Sequence, residues 1–183
     1  MPILEIRRHS IRKTDGGSQL SQQGVDLARK LGVESQPFDR VVTSVLPRAR
    51  ETAIAMGFAV DYELMTLAGS EVYTELQDID WGDPNNPFPR IAALILDGGE
   101  YGAFANGMAS LWRDILTPLQ SEQRALFIGH SGEMEAALVA CFPNEDHSAW
   151  GAAFGPLEGA RIDFDGEPAH YRNLELLRTG QDT

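Results

Sequence analysis

A chain of 183 residues with 43% hydrophobic content can bury one sizeable core, and a single domain spanning 1–183 is expected. Its net charge of -12 argues against non-specific nucleic-acid binding and against docking on anionic membranes, so an anionic ligand would need a local basic pocket. The single cysteine, Cys141, excludes an internal disulfide framework and reads as a small core residue. No zinc-type His/Cys spacing, membrane-length apolar run or signal layout is present, which makes a cytoplasmic location the default expectation.

The first predicted strand, 3–8, runs into Arg7-Arg8-His9-Ser10, with Arg12 and Lys13 just beyond. Ligand chemistry in α/β folds sits outside the carboxyl ends of sheet strands, and this singles out His9. An imidazole is a good nucleophile only when neutral. Flanking guanidinium groups lower its pKa and draw in an anionic, phosphorylated substrate. Glu5 and Arg7 share one face of this strand and are more polar than a buried parallel strand should carry. After a polar loop at 14–18, Ser21 is the predicted N-cap of an amphipathic helix, with Val25, Leu27, Ala28 and Leu31 on the buried side and Gly32 as its stop. Residues 38–43 give a second strand. Ser44 then caps a second helix that holds Pro47 in its first turn and aims Arg48 at the strand's carboxyl end. A third strand is expected at 59–62.

From 63 to 99 the pattern loosens, with Asp, Asn, Pro and Gly gathered at 78–87. The interleaved Ile79, Trp81 and Phe88 favour an ordered lid or cap insertion around 63–120. Within it, apolar spacing over 88–96 and 101–119 predicts two helices packed beside the sheet. The apolar run 125–128 reads as a central parallel strand that ends at His130-Ser131-Gly132, before a helix over 133–142. This second histidine therefore also lies where a strand hands over to a helix N-terminus. Residues 157–164 and 169–177 form a predicted hairpin around Asp165-Gly166. The fold class expected is α/β, a three-layer sandwich with a mostly parallel central sheet flanked by helices.

Arg8, His9, Arg48 and His130 supply a nucleophile, two cationic clamps and a second imidazole at strand ends, a set suited to phosphoryl transfer. Arginine serves this chemistry well because its planar fork binds two oxygens at once. These residues give the sequence its resemblance to the histidine phosphatase superfamily, the phosphoglycerate mutase-like proteins. Arg8-His9-Ser10 resembles that family's opening Arg-His-Gly motif. The likeness continues through Leu20-Ser21 and Gly24, through Ser44, Arg48, Ala49, Thr52 and Ala53, and through Gly129-His130-Ser131-Gly132. The resemblance implies that the first histidine carries the phosphoryl group, that two arginines and the second histidine hold it, and that a carboxylic acid protonates the leaving group. Carried over, these roles fall on His9, on Arg8, Arg48 and His130, and on a mid-chain acid.

Leu76-Gln77-Asp78-Ile79-Asp80-Trp81-Gly82 is similar to the family's Leu-x-Glu-Ile-x-Phe-Gly, which makes Asp78 the first choice of acid. Glu75 is the alternative, and Asp80 reads as a lid or surface carboxylate. Arg12, Ser21, Ser131 and Glu75 are the candidate substrate-binding residues. No cofactor and no metal are implied, since the motifs centre on arginines, which repel cations, and His147 and His170 have no ligand-like company.

The function implied is a phosphomonoester hydrolase using a phosphohistidine on His9, with a phosphorylated small molecule or a phosphoprotein as substrate. A short chain leaves less capping structure than the mutases have, which favours hydrolase over mutase. A phosphohistidine or phosphoserine protein phosphatase stays open, as does a non-catalytic phospholigand-binding module, which turnover of an aryl phosphate would exclude. Serines in place of glycine at 10 and 131 either crowd the approach to phosphate or add hydroxyl donors. No nucleic-acid or membrane partner is expected, and no feature of the sequence sets an oligomeric state.

Overall fold

Alternation along the central strands decides the architecture. In the strand Arg124–Gly129, Ala125 and Phe127 join one apolar cluster while Leu126 and Ile128 join another, and Val42 and Val41 divide in the same way. A strand buried on both faces needs a layer of helices on each side. The computed structural model describes residues 1–65, 79, 85–166 and 171–179 and contains those layers.

Six strands form one sheet: β1 (Ile3–Arg8), β2 (Arg40–Ser44), β3 (Tyr62–Leu64), β4 (Arg124–Gly129), β5 (Gly159–Phe164) and β6 (Tyr171–Leu177), in the order β3-β2-β4-β1-β5-β6. β3, β2, β4 and β1 are mutually parallel, whereas β5 runs antiparallel to both β1 and β6. Helices α1 (Gln22–Glu34) and α2 (Pro47–Ala55) cover one face with Ala28, Ala49 and Ala53. Helices α3 (Phe88–Asp97), α4 (Gly99–Leu116) and α5 (Glu133–Cys141) cover the other with Phe88, Ile91, Trp112 and Leu138. The expected α/β three-layer arrangement is therefore present.

Several local expectations change. Gly32 does not stop α1, which continues to Glu34. A Cβ at Gly32 would run into the Met56 carbonyl, so this glycine lets α1 lie against the end of α2. Ser44 does not cap α2. Leu46 is the N-cap, and the Ser44 hydroxyl instead accepts the Leu46 N–H at 3.1 Å, shaping the turn before the helix. The third strand lies at Tyr62–Leu64, overlapping the predicted span only at Tyr62. Cys141 is buried, as expected of a core residue, and burial pushes its thiol far above the ordinary range.

The polar face of β1 has a physical account. Glu5 is 2% exposed and pairs with Arg7 at 2.8 Å, Arg161 at 3.0 Å and Arg124 at 3.3 Å. Register places Arg161 beside it on β5 and Arg124 two residues from its partner Leu126 on β4, on the same face of the sheet. Arg7 also donates to the Leu157 carbonyl at 2.8 Å. Within the stretch expected to form a lid, α3 and α4 join the main core and Ile79 is buried in it; 66–78 and 80–84 lie outside the described residues.

Candidate active site

The carboxyl ends of β1 and β4 are neighbours, and each carries a histidine. The His9 N–H donates to the Gly129 carbonyl at 3.0 Å, which fixes the two turns relative to one another. The rings of His9 and His130 stand 5.1 Å apart at 58°. Around them, Arg8, His9, Ser10, Ile11, Arg12, Arg48, His130, Ser131 and Pro156 line a cleft of about 390 Å³.

Helices α1 and α2 hold the turn after His9 from below. The Ser10 N–H donates to Thr52 Oγ1 at 3.0 Å, and the Thr52 hydroxyl donates to the Arg48 carbonyl at 2.7 Å. The Ser10 hydroxyl donates to the Gly24 carbonyl at 2.7 Å. Gly24 must be glycine here, because a Cβ would collide with the Ile11 carbonyl. Arg48 reaches up to donate to Ser18 Oγ at 3.0 Å.

His9 Nδ1 lies 2.7 Å from the Ser10 carbonyl oxygen. A carbonyl only accepts, so the proton sits on Nδ1 and Nε2 carries the lone pair. Burial, reinforced by Arg48, Arg8 and Arg12, lowers the His9 pKa to about 4. Burial and then Arg48, His9 and Arg8 lower that of His130 to about 3. Both rings are neutral at pH 7. Neither buried ring nitrogen of His130 has a hydrogen-bond partner among the described residues, and the same holds for Arg8 Nε. Orphaned polar atoms of this kind are rare away from functional sites. A cleft with two uncharged imidazoles and three guanidinium groups suits an oxyanion. Among the described residues, no three His, Cys, Asp or Glu side chains are grouped to hold a metal.

Of the residues picked from sequence, Arg8, His9, Arg12, Arg48, His130 and Ser131 come together in this cleft. Ser21 does not. Its hydroxyl accepts the Gly24 N–H at 3.0 Å as the N-cap of α1, and it lines an adjoining depression of about 450 Å³ with Arg12 and Lys13. Asp78, Glu75 and Asp80 lie outside the described residues. His147 is buried elsewhere, against Trp150, while His170 lies outside the described residues. The serines do not add donors to the cleft, since Ser10 gives its proton to Gly24 and Ser131 gives its proton to Glu135 Oε1 at 2.9 Å.

Two contributors were not legible in the sequence. One is the segment 151–158, which supplies Pro156 to the cleft and whose Phe154 carbonyl accepts from Arg8 at 2.6 Å. The other is Glu135, wholly buried at the start of α5. The available signal was its place three residues beyond Gly132, where a glutamate can reach back to the open end of its helix.

The sequence matches no curated protein. Solved structures share the fold. A phosphoserine phosphatase from Entamoeba histolytica, in complex with 3-phosphoglyceric acid, superposes with TM-score 0.65 at 16% identity, over 99% of this chain and 98% of that one. The Rv3214 product of Mycobacterium tuberculosis gives 0.61 at 21% identity, with 96% of each chain covered. The protein histidine phosphatase SixA, complexed with tungstate, gives 0.54 at 16% identity, also with 96% of each chain covered. Residues 5–175 match the family model of the histidine phosphatase superfamily, branch 1, and with both histidines and their arginines gathered in one cleft at the carboxyl ends of β1 and β4, the chain belongs to that superfamily.

Proposed function

We propose that the protein is a phosphomonoester hydrolase that works through a phosphohistidine on His9. The observation that carries this reading is the fixed tautomer of a neutral His9 among guanidinium groups: Nδ1 is committed to Ser10, which leaves the Nε2 lone pair to attack phosphorus. Arg8, Arg48 and His130 hold the non-bridging oxygens, where charge spreads during transfer, and Arg12 extends the positive wall. A new Nε2–P bond forms as the P–O bond to the leaving group breaks. Asp78 gives its proton to the departing oxygen, with Glu75 as the alternative donor. Water then attacks phosphorus, the N–P bond breaks, and the carboxylate recovers a proton. Inorganic phosphate leaves.

The test is His9→Ala with an aryl phosphate. Turnover and an acid-labile phosphoenzyme, trapped by rapid quench, should both vanish. Near wild-type turnover in this variant would refute the covalent mechanism.

A further inference from the structure

The Arg8 and His130 sides of the cleft meet in one buried side chain. Glu135 Oε2 accepts the Gly132 N–H at 2.6 Å. Its Oε1 accepts both the Ser131 hydroxyl and the Phe154 N–H, each at 2.9 Å. The Phe154 carbonyl in turn accepts from Arg8, and the Phe154 ring lies beneath the Arg178 guanidinium, 4.8 Å away. We propose that Glu135 is the positioning residue of the oxyanion site, fixing the His130–Gly132 turn with one carboxylate and, through Phe154, the Arg8 guanidinium. This rests on the reading that the cleft binds a phosphoryl group.

Local chemistry supports the assignment. All three partners donate, and an ionised carboxylate can accept from all of them without leaving a proton unplaced. Gln cannot copy this, because its NH₂ would confront a donor wherever it is placed. Fixing the helix alone would need only the contact to Gly132. The contact to Phe154 spans 19 residues and ties a separate segment, the one that holds Arg8, to the turn that carries His130. Glu135 also offsets part of the desolvation of Arg8, whose pKa burial lowers and Glu135 and Glu158 raise. The Glu5 cluster offers a comparison: Glu5 is a buried, ion-paired carboxylate in β1, yet the cluster contributes no residue to the cleft.

The experiment measures inorganic phosphate affinity by calorimetry, well below Tm, in wild type, Glu135→Gln and Glu5→Gln. Both variants should lose thermal stability. Only Glu135→Gln should weaken phosphate binding, by about tenfold or more, the usual scale for losing a hydrogen bond to a charged group; Glu5→Gln should stay within about twofold of wild type. Equal phosphate affinities in the two variants would reduce Glu135 to a folding role and overturn the inference. Should Glu135→Gln fail to fold, Ser131→Ala removes one of the three contacts, and its hydroxyl proton is already committed to Glu135. A loss of about threefold or more would support the assignment, and unchanged affinity would overturn it. Wild-type binding without turnover of any phosphomonoester would refute the hydrolase reading and leave the positioning role standing. No phosphate binding in wild type would refute both.

Discussion

Both histidines of the cleft are held neutral by burial, and that couples the cleft to stability. Their folded pKa values, about 4 for His9 and about 3 for His130, lie below the ordinary 6.5 that an unfolded chain would show. Below pH 6.5 the unfolded chain therefore binds protons that the folded one refuses, and stability falls as the pH drops towards 4 and then 3. Each histidine contributes a slope of about 1.4 kcal/mol per pH unit across that window. Replacing His130 with Asn should flatten the dependence of unfolding free energy on pH between 6 and 4 by about that amount, as read by denaturant titration. Parallel curves for the two proteins would mean that His130 titrates normally in the fold. At the same scale, Asp78→Asn should cripple alkyl phosphates while sparing nitrophenyl phosphate, whose leaving group departs unaided. General-acid help is typically worth about 10²- to 10⁴-fold, so the two substrates should separate clearly. Equal losses on both would deny Asp78 the proton-donor role, and selectivity appearing in Glu75→Gln would assign it there.

Among the elements, α1 tolerates little change, because its first turn is wedged under the chain that leaves His9. Gly24→Ala would press a methyl group into the Ile11 carbonyl and push away the carbonyl that receives Ser10. A loss of about 2 kcal/mol is expected, with kcat/KM falling alongside. Gly107→Ala gives the contrast: it lies inside α4 with open space around it, and it should gain about 0.8 kcal/mol from helix propensity and leave kcat/KM unchanged. Thermal melts and aryl phosphate kinetics on both variants check the pair. The elements also show what could be read from sequence. Runs such as Val41-Val42 and 125–128 announce buried strands because both faces need apolar side chains. Glu5 defied that pattern because Arg124 and Arg161, which neutralise it, lie 119 and 156 residues away along the chain. Gly32 looks like a helix stop in the sequence for a similar reason: the backbone that demands a glycine there is Met56, at the end of the next helix.

Over the whole molecule, the net charge of -12 contrasts with a cleft lined by Arg8, Arg12 and Arg48. In the proposed reaction those guanidinium groups supply the positive charge that a metal would otherwise bring to a phosphoryl group, and they repel a cation from the same space. Chelator should therefore leave kcat/KM for an aryl phosphate unchanged. Loss of activity restored by magnesium or zinc would contradict the proposed chemistry. Among the described residues no helix is long and apolar enough to cross a membrane. His9, His130, Arg8 and Arg48 were legible because each ends a strand, directly follows one or opens the helix that follows one. Phe154 and Pro156 were not, because they precede the strand they lead into.

The reversed direction of β5 has a consequence for how such a cleft can diversify. Gly159, the first residue of β5, pairs with Arg7 near the end of β1, so the chain delivers 151–158 to the histidines on its way into the sheet. Pro156 is exposed at that rim. Lengthening or recomposing the chain around it would reshape the mouth of the cleft, while the His9–Gly129 bond that sets the spacing of the two imidazoles stays on β1 and β4. A graft confined to 155–156 should therefore change the rim of the cleft while leaving in place both the Phe154 carbonyl that holds Arg8 and the spacing of the two imidazoles.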